Sequence, residues 1–170
     1  EMDTEQIEKV KTSNGDWSEN DIRKYCWTQA IYGHVLDSMV EHNPKLRPFF
    51  LFAPGVEESV GFESHFRKNG VRVAHIDATD VILDGKRYPS NRDVRNSILR
   101  DHESGEIKGI TNRWVLREAV DAPWVEHLVL ATPFGSLTTY LQVVGRGLRA
   151  SPKTGKTCLT ICDHGGNFWR

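Results

Sequence analysis

The side chains best suited to chemistry lie in one short stretch near the end of the chain. Gln142, Arg146 and Arg149 are spaced four and three residues apart, so on a helix they would share one face. Guanidinium groups stay charged and offer planar, forked donors to phosphate oxygens. An arginine that enters a site from a second domain can stabilise the charge that develops in phosphoryl transfer. Taken alone, the spacing is equally compatible with a solvated basic helix face.

A second candidate for phosphate binding is the segment 150–157, which looks like a Walker A loop with alanine in place of the first glycine. A Walker A loop follows a strand and opens a helix, whose N-terminal amides hold phosphate. This segment instead follows a predicted helix and precedes a predicted strand, so we interpret it as a basic turn. A true GxxxxGK[ST] motif and a DExx box are both missing from the sequence, and these supply the phosphate cradle, the magnesium ligand and the general base.

The cysteines are three in number, Cys26, Cys158 and Cys162. An odd and sparse set argues against a disulfide framework and fits a reducing cytoplasm. Cys158, Cys162 and His164 could also be read as metal ligands. Residues 158–162 read CLTIC, however, which favours a strand with two core thiols, and a tetrahedral site needs a fourth partner. We therefore predict no metal site.

The elements that must position these side chains follow from apolar runs that alternate with helical spacing. Strands are predicted at 49–53, 71–76, 107–112, 127–132 and 157–162, and helices at 18–42, 56–69, 90–100 and 136–150. Asp84-Gly85 predicts a hairpin turn within a small β insertion at 82–88. Because strands and helices alternate, we predict an α/β fold in three layers, with a parallel sheet between helices. Such folds bind ligands beyond the carboxyl ends of the strands.

Length and composition set the broad class. A chain of 170 residues, of which 38% are hydrophobic and 26% charged, fits one globular domain. We expect residues 1–17 to be a linker or disordered start and 18–170 to be the domain. No apolar run could span a membrane, and the acidic start does not resemble a signal peptide, so we expect a cytoplasmic protein. A net charge of -1 excludes a protein that holds nucleic acid by overall charge alone.

Several of these segments together resemble the motifs of superfamily 2 helicases in order and spacing. Residues 142–149 resemble motif VI, QxxGRxxR, Asp121 with the following proline resembles motif V, and residues 50–52 resemble motif IV. Residues 163–167 are similar to the exit from the last strand in the branch of DNA-repair helicases, phage helicases and restriction-enzyme motor subunits. The resemblance covers about 46–167 and implies the C-terminal, RecA-like domain of such an enzyme.

The resemblance implies roles for individual residues. Arg146 and Arg149 would be arginine fingers that reach ATP on a partner domain, and Gln142 would orient the γ-phosphate or the attacking water. Asp121 would hold the ribose or couple motif V to the arginines. Contacts with the nucleotide are further implied for Glu118 and Gly145, and contacts with nucleic acid for Asn112, Arg113, Pro54 and Gly55.

Two residues depart from the family pattern in motif V. Ala119 stands where the family usually has glycine, and Arg117 replaces a small hydroxyl residue. A Cβ tolerates a positive φ poorly, so the backbone at Ala119 is either ordinary or shifted.

The implied cofactors and partners lie mostly outside this chain. ATP and Mg²⁺ would be bound mainly by an N-terminal RecA-like domain, and the nucleic acid could be DNA or RNA. The chain alone would not complete an ATPase site, whereas the parent protein would hydrolyse ATP. The alternatives are a non-catalytic nucleic-acid-binding module with a helicase-like fold, and an unrelated doubly wound nucleotide-binding domain.

Overall fold

A computed structural model describes residues 4–13, 16–117 and 120–167, and the side chains of residues 4, 5, 117 and 146 lie outside that description. The elements in chain order are α1 (Thr4–Ile7), β1 (Thr12–Ser13), β2 (Asp16–Trp17), α2 (Glu19–Tyr25), α3 (Ala30–His42), β3 (Phe49–Phe52), α4 (Val56–Lys68), β4 (Val73–Ile76), β5 (Asp80–Leu83), β6 (Lys86–Pro89), α5 (Arg92–Glu103), β7 (Gly109–Asn112), a 3₁₀ turn (Val115–Arg117), β8 (His127–Leu130), α6 (Leu137–Gly147) and β9 (Thr160–Asp163). None of the helices in these ranges has both the length and the apolar character that a membrane crossing requires.

The main sheet has seven strands in the order β6-β5-β4-β7-β3-β8-β9. From β4 to β9 the neighbouring strands are parallel, while β5 and β6 extend one edge as an antiparallel hairpin. β3, β7 and β8 are buried along their whole length, as is typical of strands covered on both faces. The predicted parallel sheet is therefore confirmed.

Alternate residues of β3 divide the core into two layers. Phe49 and Leu51 pack in one cluster with side chains of α2, α3 and α4. Phe50 and Phe52 point to the opposite face, into a cluster with Ile98 of α5 and Val143 of α6. This alternation follows from the period of two in a strand, and it confirms the three-layer α/β arrangement.

The hairpin at the sheet edge forms as its turn residues predict. Asp84 and Gly85 have φ angles of 53° and 75°, which are the positive values that a two-residue type I′ turn needs at both positions. Arg72 also pairs with Asp84 across the turn at 2.9 Å.

The first long helix predicted for 18–42 is wrong, because the structure contains two helices, α2 and α3. The amides of Cys26 and Trp27 both donate to the Ile22 carbonyl, at 2.9 and 3.1 Å, and this closes α2. Trp27 then packs edge-on against Tyr32 and Phe62. The helical spacing of apolar residues continues from α2 into α3, because both helices pack against the same face of the sheet.

The beginning of the chain also differs from the expected linker. α1 and the antiparallel pair β1–β2 form within it, and Ile7 and Val10 are buried in the core. Polar residues surround Ile7 and Val10 in the sequence, so no apolar periodicity predicted that they are buried.

The last strand begins at Thr160, later than predicted. Cys158 therefore precedes the strand and is exposed, whereas Cys162 is buried. The prediction of two core thiols is wrong for Cys158. Within the described ranges, no group of three or more His, Cys, Asp or Glu residues could hold a metal ion.

A buried hydrogen-bond chain orders the loop that follows β4. Because a carboxylate only accepts, His75 Nε2 donates to Asp77 Oδ2 at 3.1 Å, which leaves His75 Nδ1 to accept from Ser59 Oγ at 2.6 Å. Asp77 Oδ1 accepts the amides of Thr79 and Asp80 at 2.7 Å each. Burial alone would raise the pKa of Asp77, but these hydrogen bonds together lower it to about 2. The charged carboxylate thus holds the loop.

Candidate functional site

Helix α6 carries most of the segment 142–149, which resembles motif VI. Ser136 Oγ accepts the Thr139 amide at 3.4 Å and caps the beginning of the helix, at the residue where the sequence predicted that it starts. Val143 faces the core. Gln142 and Gly145 are exposed, and helical spacing puts the backbone position of Arg146 on the same outer side.

Arg149 follows the end of α6 and meets Asp121 of the loop between β7 and β8. Arg149 Nη1 donates to Asp121 Oδ1 at 2.7 Å, and the two side chains are 59% and 71% exposed. The structure therefore brings together two residues that the sequence placed in different motifs. An exposed pair of this kind contributes about 0–1 kcal/mol to stability.

Gly145 has no packing reason to be a glycine. A Cβ built there would meet nothing within 4 Å, whereas one at Gly147 would lie 2.7 Å from the Leu159 side chain. Glycine inside a helix costs about 1 kcal/mol relative to alanine. The bare backbone at Gly145 is therefore a surface feature, suited to a close approach from outside the domain.

Lys156, the lysine of the segment that looks like a Walker A loop, contacts the protein's own backbone. Lys156 forms an isolated bridge with Ser151, its side chain is buried, and its Nζ donates to the Gly147 carbonyl at 2.5 Å. Burial lowers the pKa of Lys156. The segment is a turn, as predicted, and its lysine satisfies the carbonyl of Gly147 at the end of α6.

The expected nucleic-acid contact by Asn112 needs correction. Asn112 is completely buried. Its Nδ2 donates to the Leu51 carbonyl at 3.0 Å and its Oδ1 accepts the Leu116 amide at 3.4 Å. An amide engaged in this way fastens the end of β7 to β3, and its side chain cannot reach a nucleic acid.

Pro54 and Gly55 are also buried, although the sequence suggested that they face the track. Gly55 is the N-cap of α4, and a Cβ there would lie 2.4 Å from Glu58 Oε2 and 2.6 Å from Glu19 Oε1. The carboxylates of Glu19 and Glu58 thus cover the N-terminus of α4, and their negative charge would repel a phosphate. Sequence reasoning missed this because Glu19 belongs to α2.

Arg113 lies at the carboxyl end of β7, where the sequence placed it. Its side chain is 12% exposed, and its Nε donates to Glu19 Oε2 at 3.3 Å. Its guanidinium stacks on the Trp114 ring, 4.0 Å from the centroid. Of the predicted nucleic-acid contacts, Arg113 is the one whose charge borders an open cavity.

That cavity, here named the N-terminal groove, was not predicted from the sequence, because three of its eight lining residues come from the range expected to be a linker. Its volume is about 580 Å³ and its lining is Ser13, Asp16, Trp17, Ser18, Glu19, Asn20, Arg113 and Trp114. Asp16 Oδ1 accepts the amides of Trp17 and Gly135, which attaches this wall to the loop before α6.

Four residues that the sequence analysis singled out cannot be placed in the site. Glu118 and Ala119 lie outside the described residues, as do the side chains of Arg117 and Arg146. The roles expected for Glu118 and for the Arg146 guanidinium therefore stay predictions.

Comparison with known sequences finds little. No protein-family model matches the chain. A 51.5 kDa protein of Lactococcus phage (isolate 7-9) is 29% identical over 155 residues, which is 91% of this chain and 31% of the relative. The chain thus spans 31% of the length of that phage protein.

Comparison with solved structures is more informative. The helicase domain of Pyrococcus furiosus Hef aligns over 88% of this chain and 29% of its own, with 15% identity and a TM-score of 0.53. The E. coli DEAD-box protein SrmB aligns over 78% and 69%, with 16% identity and a TM-score of 0.57. A fragment assigned to the HsdR subunit of a type I restriction enzyme from Vibrio vulnificus YJ016 aligns over 78% and 26%, with 20% identity and a TM-score of 0.59. The fold of this chain is therefore the RecA-like α/β fold that it shares with domains of these proteins.

Proposed function

We propose that this chain is the second motor domain of an ATP-dependent nucleic-acid helicase or translocase. It would supply arginine fingers to ATP bound on an N-terminal RecA-like domain, and it would form part of the nucleic-acid track. The observation that carries the proposal is the outer face of α6 and its end. There, Gln142 and the bare backbone of Gly145 are exposed, and an exposed Arg149 follows the end of the helix and pairs with Asp121.

The charge around this face suits a triphosphate. Between Ser136 and Thr157 the sequence has no acidic residue. Arg149 supplies an exposed positive charge there, whereas Lys156 is buried and Lys153 pairs with Glu103. Asp121 is the carboxylate that meets Arg149, and it reaches the guanidinium from another loop. Guanidinium donors can pair with phosphate oxygens and stabilise the charge that spreads over them during transfer. ATP with Mg²⁺ would supply the transferred phosphoryl group, and this chain would contribute positioning and charge.

The surface of α6 also suggests a covering partner. Leu137, Leu141 and Leu148 are 72%, 55% and 65% exposed, and their spacing of four and eleven residues puts them on one side. Exposed leucines on one side of a helix suit a protein-protein contact. Because the stripe adjoins the face of Gln142 and Gly145, we assign it to the N-terminal motor domain of the same protein.

The test is ATP hydrolysis by the full-length protein that carries this chain. Steady-state rates are measured without nucleic acid and with single- and double-stranded DNA and RNA. Stimulation by one of them would support a motor and identify its track. Binding of nucleic acid without stimulated hydrolysis would instead support the non-catalytic module.

Replacing Gly145 with alanine is expected to stabilise the domain and harm the enzyme. The isolated chain should gain about 0.4–1 kcal/mol in free energy of unfolding, since the methyl group meets no neighbour and the unfolded chain loses freedom. In the full-length protein the same methyl group would intrude on the nucleotide side and lower kcat/KM for ATP. Urea unfolding and steady-state hydrolysis measure the two effects.

Gly147→Ala is the matched control for this prediction. Its Cβ would collide with the side chains of Leu159 and Leu128, so this variant should destabilise the domain. An unchanged kcat/KM in the Gly145→Ala enzyme would count against a nucleotide-facing role for this surface.

A further inference from the structure

We propose that Lys156 is a positioning residue for Arg149: its buried ammonium group holds the last turn of α6 and thereby fixes where the arginine leaves the helix. This inference deepens the proposed function and rests on it, because it assumes that Arg149 acts on ATP. Lys156 itself would touch neither the nucleotide nor the reacting atoms, so its effect on hydrolysis would pass through Arg149.

The end of α6 does not close with the motif that is common for helices. α6 ends at Gly147, Leu148 is its C-cap, and Arg149 follows. Many helices have a glycine at this following position, because a positive φ there brings amides back to the last carbonyls. Among the described residues other than glycine, those with a positive φ are Leu46 and Asp84, so Arg149 keeps an ordinary backbone. The carbonyls of the last turn therefore need a donor from elsewhere.

Lys156 supplies that donor from nine positions further along the chain. Its Nζ donates to the Gly147 carbonyl at 2.5 Å, and the residue is only 4% exposed. Its backbone amide donates to the Ser151 carbonyl at 3.2 Å, and Gly155 beside it has a φ of 72°, so a tight turn presents the side chain. An ammonium group is favoured at the C-terminal end of a helix, towards which the carbonyls point. The lysine is thus held at its backbone and at its charged end.

Packing holds Gly147 as well. A Cβ at this residue would lie 2.7 Å from the Leu159 side chain and 3.1 Å from that of Leu128 in β8, so the bare backbone lies directly against these two leucines. Arg149 is two residues further on, and its Nη1 reaches Asp121 Oδ1 at 2.7 Å. Because so little chain separates the two residues, a shift of the Gly147 carbonyl would move the guanidinium.

The proposal is tested by a double-mutant cycle in the full-length protein, with ATP hydrolysis measured in the presence of whichever DNA or RNA stimulates it. Lys156→Met keeps an apolar stem of similar length and removes the donor. It is expected to lower kcat about ten- to a hundredfold, since a small displacement of a catalytic group has effects of this size. KM for ATP should change much less. In the Arg149→Ala background, Lys156→Met should have no further effect on kcat.

Two controls separate positioning from charge and from stability. Lys153→Met makes the same exchange three residues away, at a lysine that is 78% exposed and pairs with Glu103, and kcat should stay within about twofold. Val35→Ala removes packing from the core cluster on the opposite face of the sheet from α6. It should lower the free energy of unfolding and leave kcat unchanged. Urea unfolding and circular dichroism of the 170-residue chain measure the stability of each variant.

The results decide between these explanations. An unchanged kcat in the Lys156→Met enzyme, or a loss that adds in full to that of Arg149→Ala, would overturn the proposal. Equal losses for Lys156→Met and Val35→Ala would overturn it too, because they would assign the effect to stability. If Arg149→Ala leaves kcat unchanged, the proposed function itself fails.

A second variant covers the case in which Lys156→Met does not fold. An alanine in place of Gly155, at a φ of 72°, strains the turn that presents Lys156. Gly155→Ala should therefore show a smaller loss of kcat, which again disappears in the Arg149→Ala background. A loss that persists there would overturn the proposal in the same way.

Discussion

Replacing Arg149 with alanine is expected to reduce nucleic-acid-stimulated ATP hydrolysis by the full-length protein about a thousandfold or more. The reason is that an arginine finger stabilises charge that appears only in the transition state of phosphoryl transfer, where its removal typically costs a factor of 10³–10⁵. The loss should fall on kcat, with KM for ATP changed much less. Single-turnover and steady-state hydrolysis, with the activating nucleic acid present, would measure both.

The stability of the domain should barely change in this variant. Arg149 and Asp121 are 59% and 71% exposed, so losing their contact costs at most about 1 kcal/mol. Lys153→Ala is a suitable control, because Lys153 is a nearby cation that is 78% exposed and pairs with Glu103. Its hydrolysis rate should stay within about twofold of the unmodified enzyme, as for most surface substitutions. Full activity of the Arg149→Ala enzyme would remove the catalytic role assigned to this face.

Mild acid is expected to destabilise the domain strongly. Burial lowers the pKa of four imidazoles, those of His75, His102, His127 and His164. For His102 the pKa falls to about 3. Below pH 6.5 these histidines bind protons more readily in the unfolded chain than in the folded chain. The free energy of unfolding therefore falls as the pH falls from about 6.5 towards 3. At pH 5 this linkage costs about 2 kcal/mol for a histidine such as His102.

His102 offers the sharpest test of this linkage. Its Nδ1 accepts Trp124 Nε1 at 3.1 Å, and its ring stacks on Phe50 with centroids 5.3 Å apart. If His102 Nδ1 were protonated, its N–H would face the N–H of Trp124 Nε1, and their hydrogen bond would be lost. His102→Asn keeps an acceptor for Trp124 and removes the titrating group. The variant should lose packing energy at pH 7.5, but the drop in free energy of unfolding from pH 7.5 to pH 5 should shrink by about 2 kcal/mol.

Urea unfolding at a series of pH values measures this difference. His42→Asn serves as the control, since it makes the same exchange at a side chain that is 53% exposed. Parallel stability curves for the His102→Asn variant and the unmodified chain would contradict the assignment of acid sensitivity to His102.

The parts of the fold that were predictable depend on local patterns. β3 and β8 are continuous apolar runs, Asp84-Gly85 is a turn pair with positive φ, and Ser136 is a helix cap. Each of these signals lies within a few residues of the element that it specifies. The break between α2 and α3 was missed because Ile22 and Ile31 pack in the same core cluster. Apolar periodicity indicates which residues are buried, and it does not indicate where one helix ends and the next begins.

The candidate site was predictable only where one motif contains it. The outer face of α6 followed from the spacing of Gln142 and Arg149. The burial of Asn112 and Gly55, and the pairing of Arg113 with Glu19 across 94 positions, depend on α2 folding over the carboxyl ends of β3 and β7. Contacts between such distant segments leave no mark on local composition.

The hydrogen-bond chain through His75 has a consequence for chemical reactivity. Serine, histidine and aspartate in a hydrogen-bonded line are the groups by which serine hydrolases create a nucleophile. In this chain the serine meets Nδ1 and the aspartate meets Nε2, the reverse of the usual ring orientation. Ser59 and His75 have 0% exposure, so an ester or a fluorophosphonate has no path to the hydroxyl. The three groups that cleave bonds in serine hydrolases are therefore closed to substrates here, and they connect α4 and β4 to the loop that follows β4.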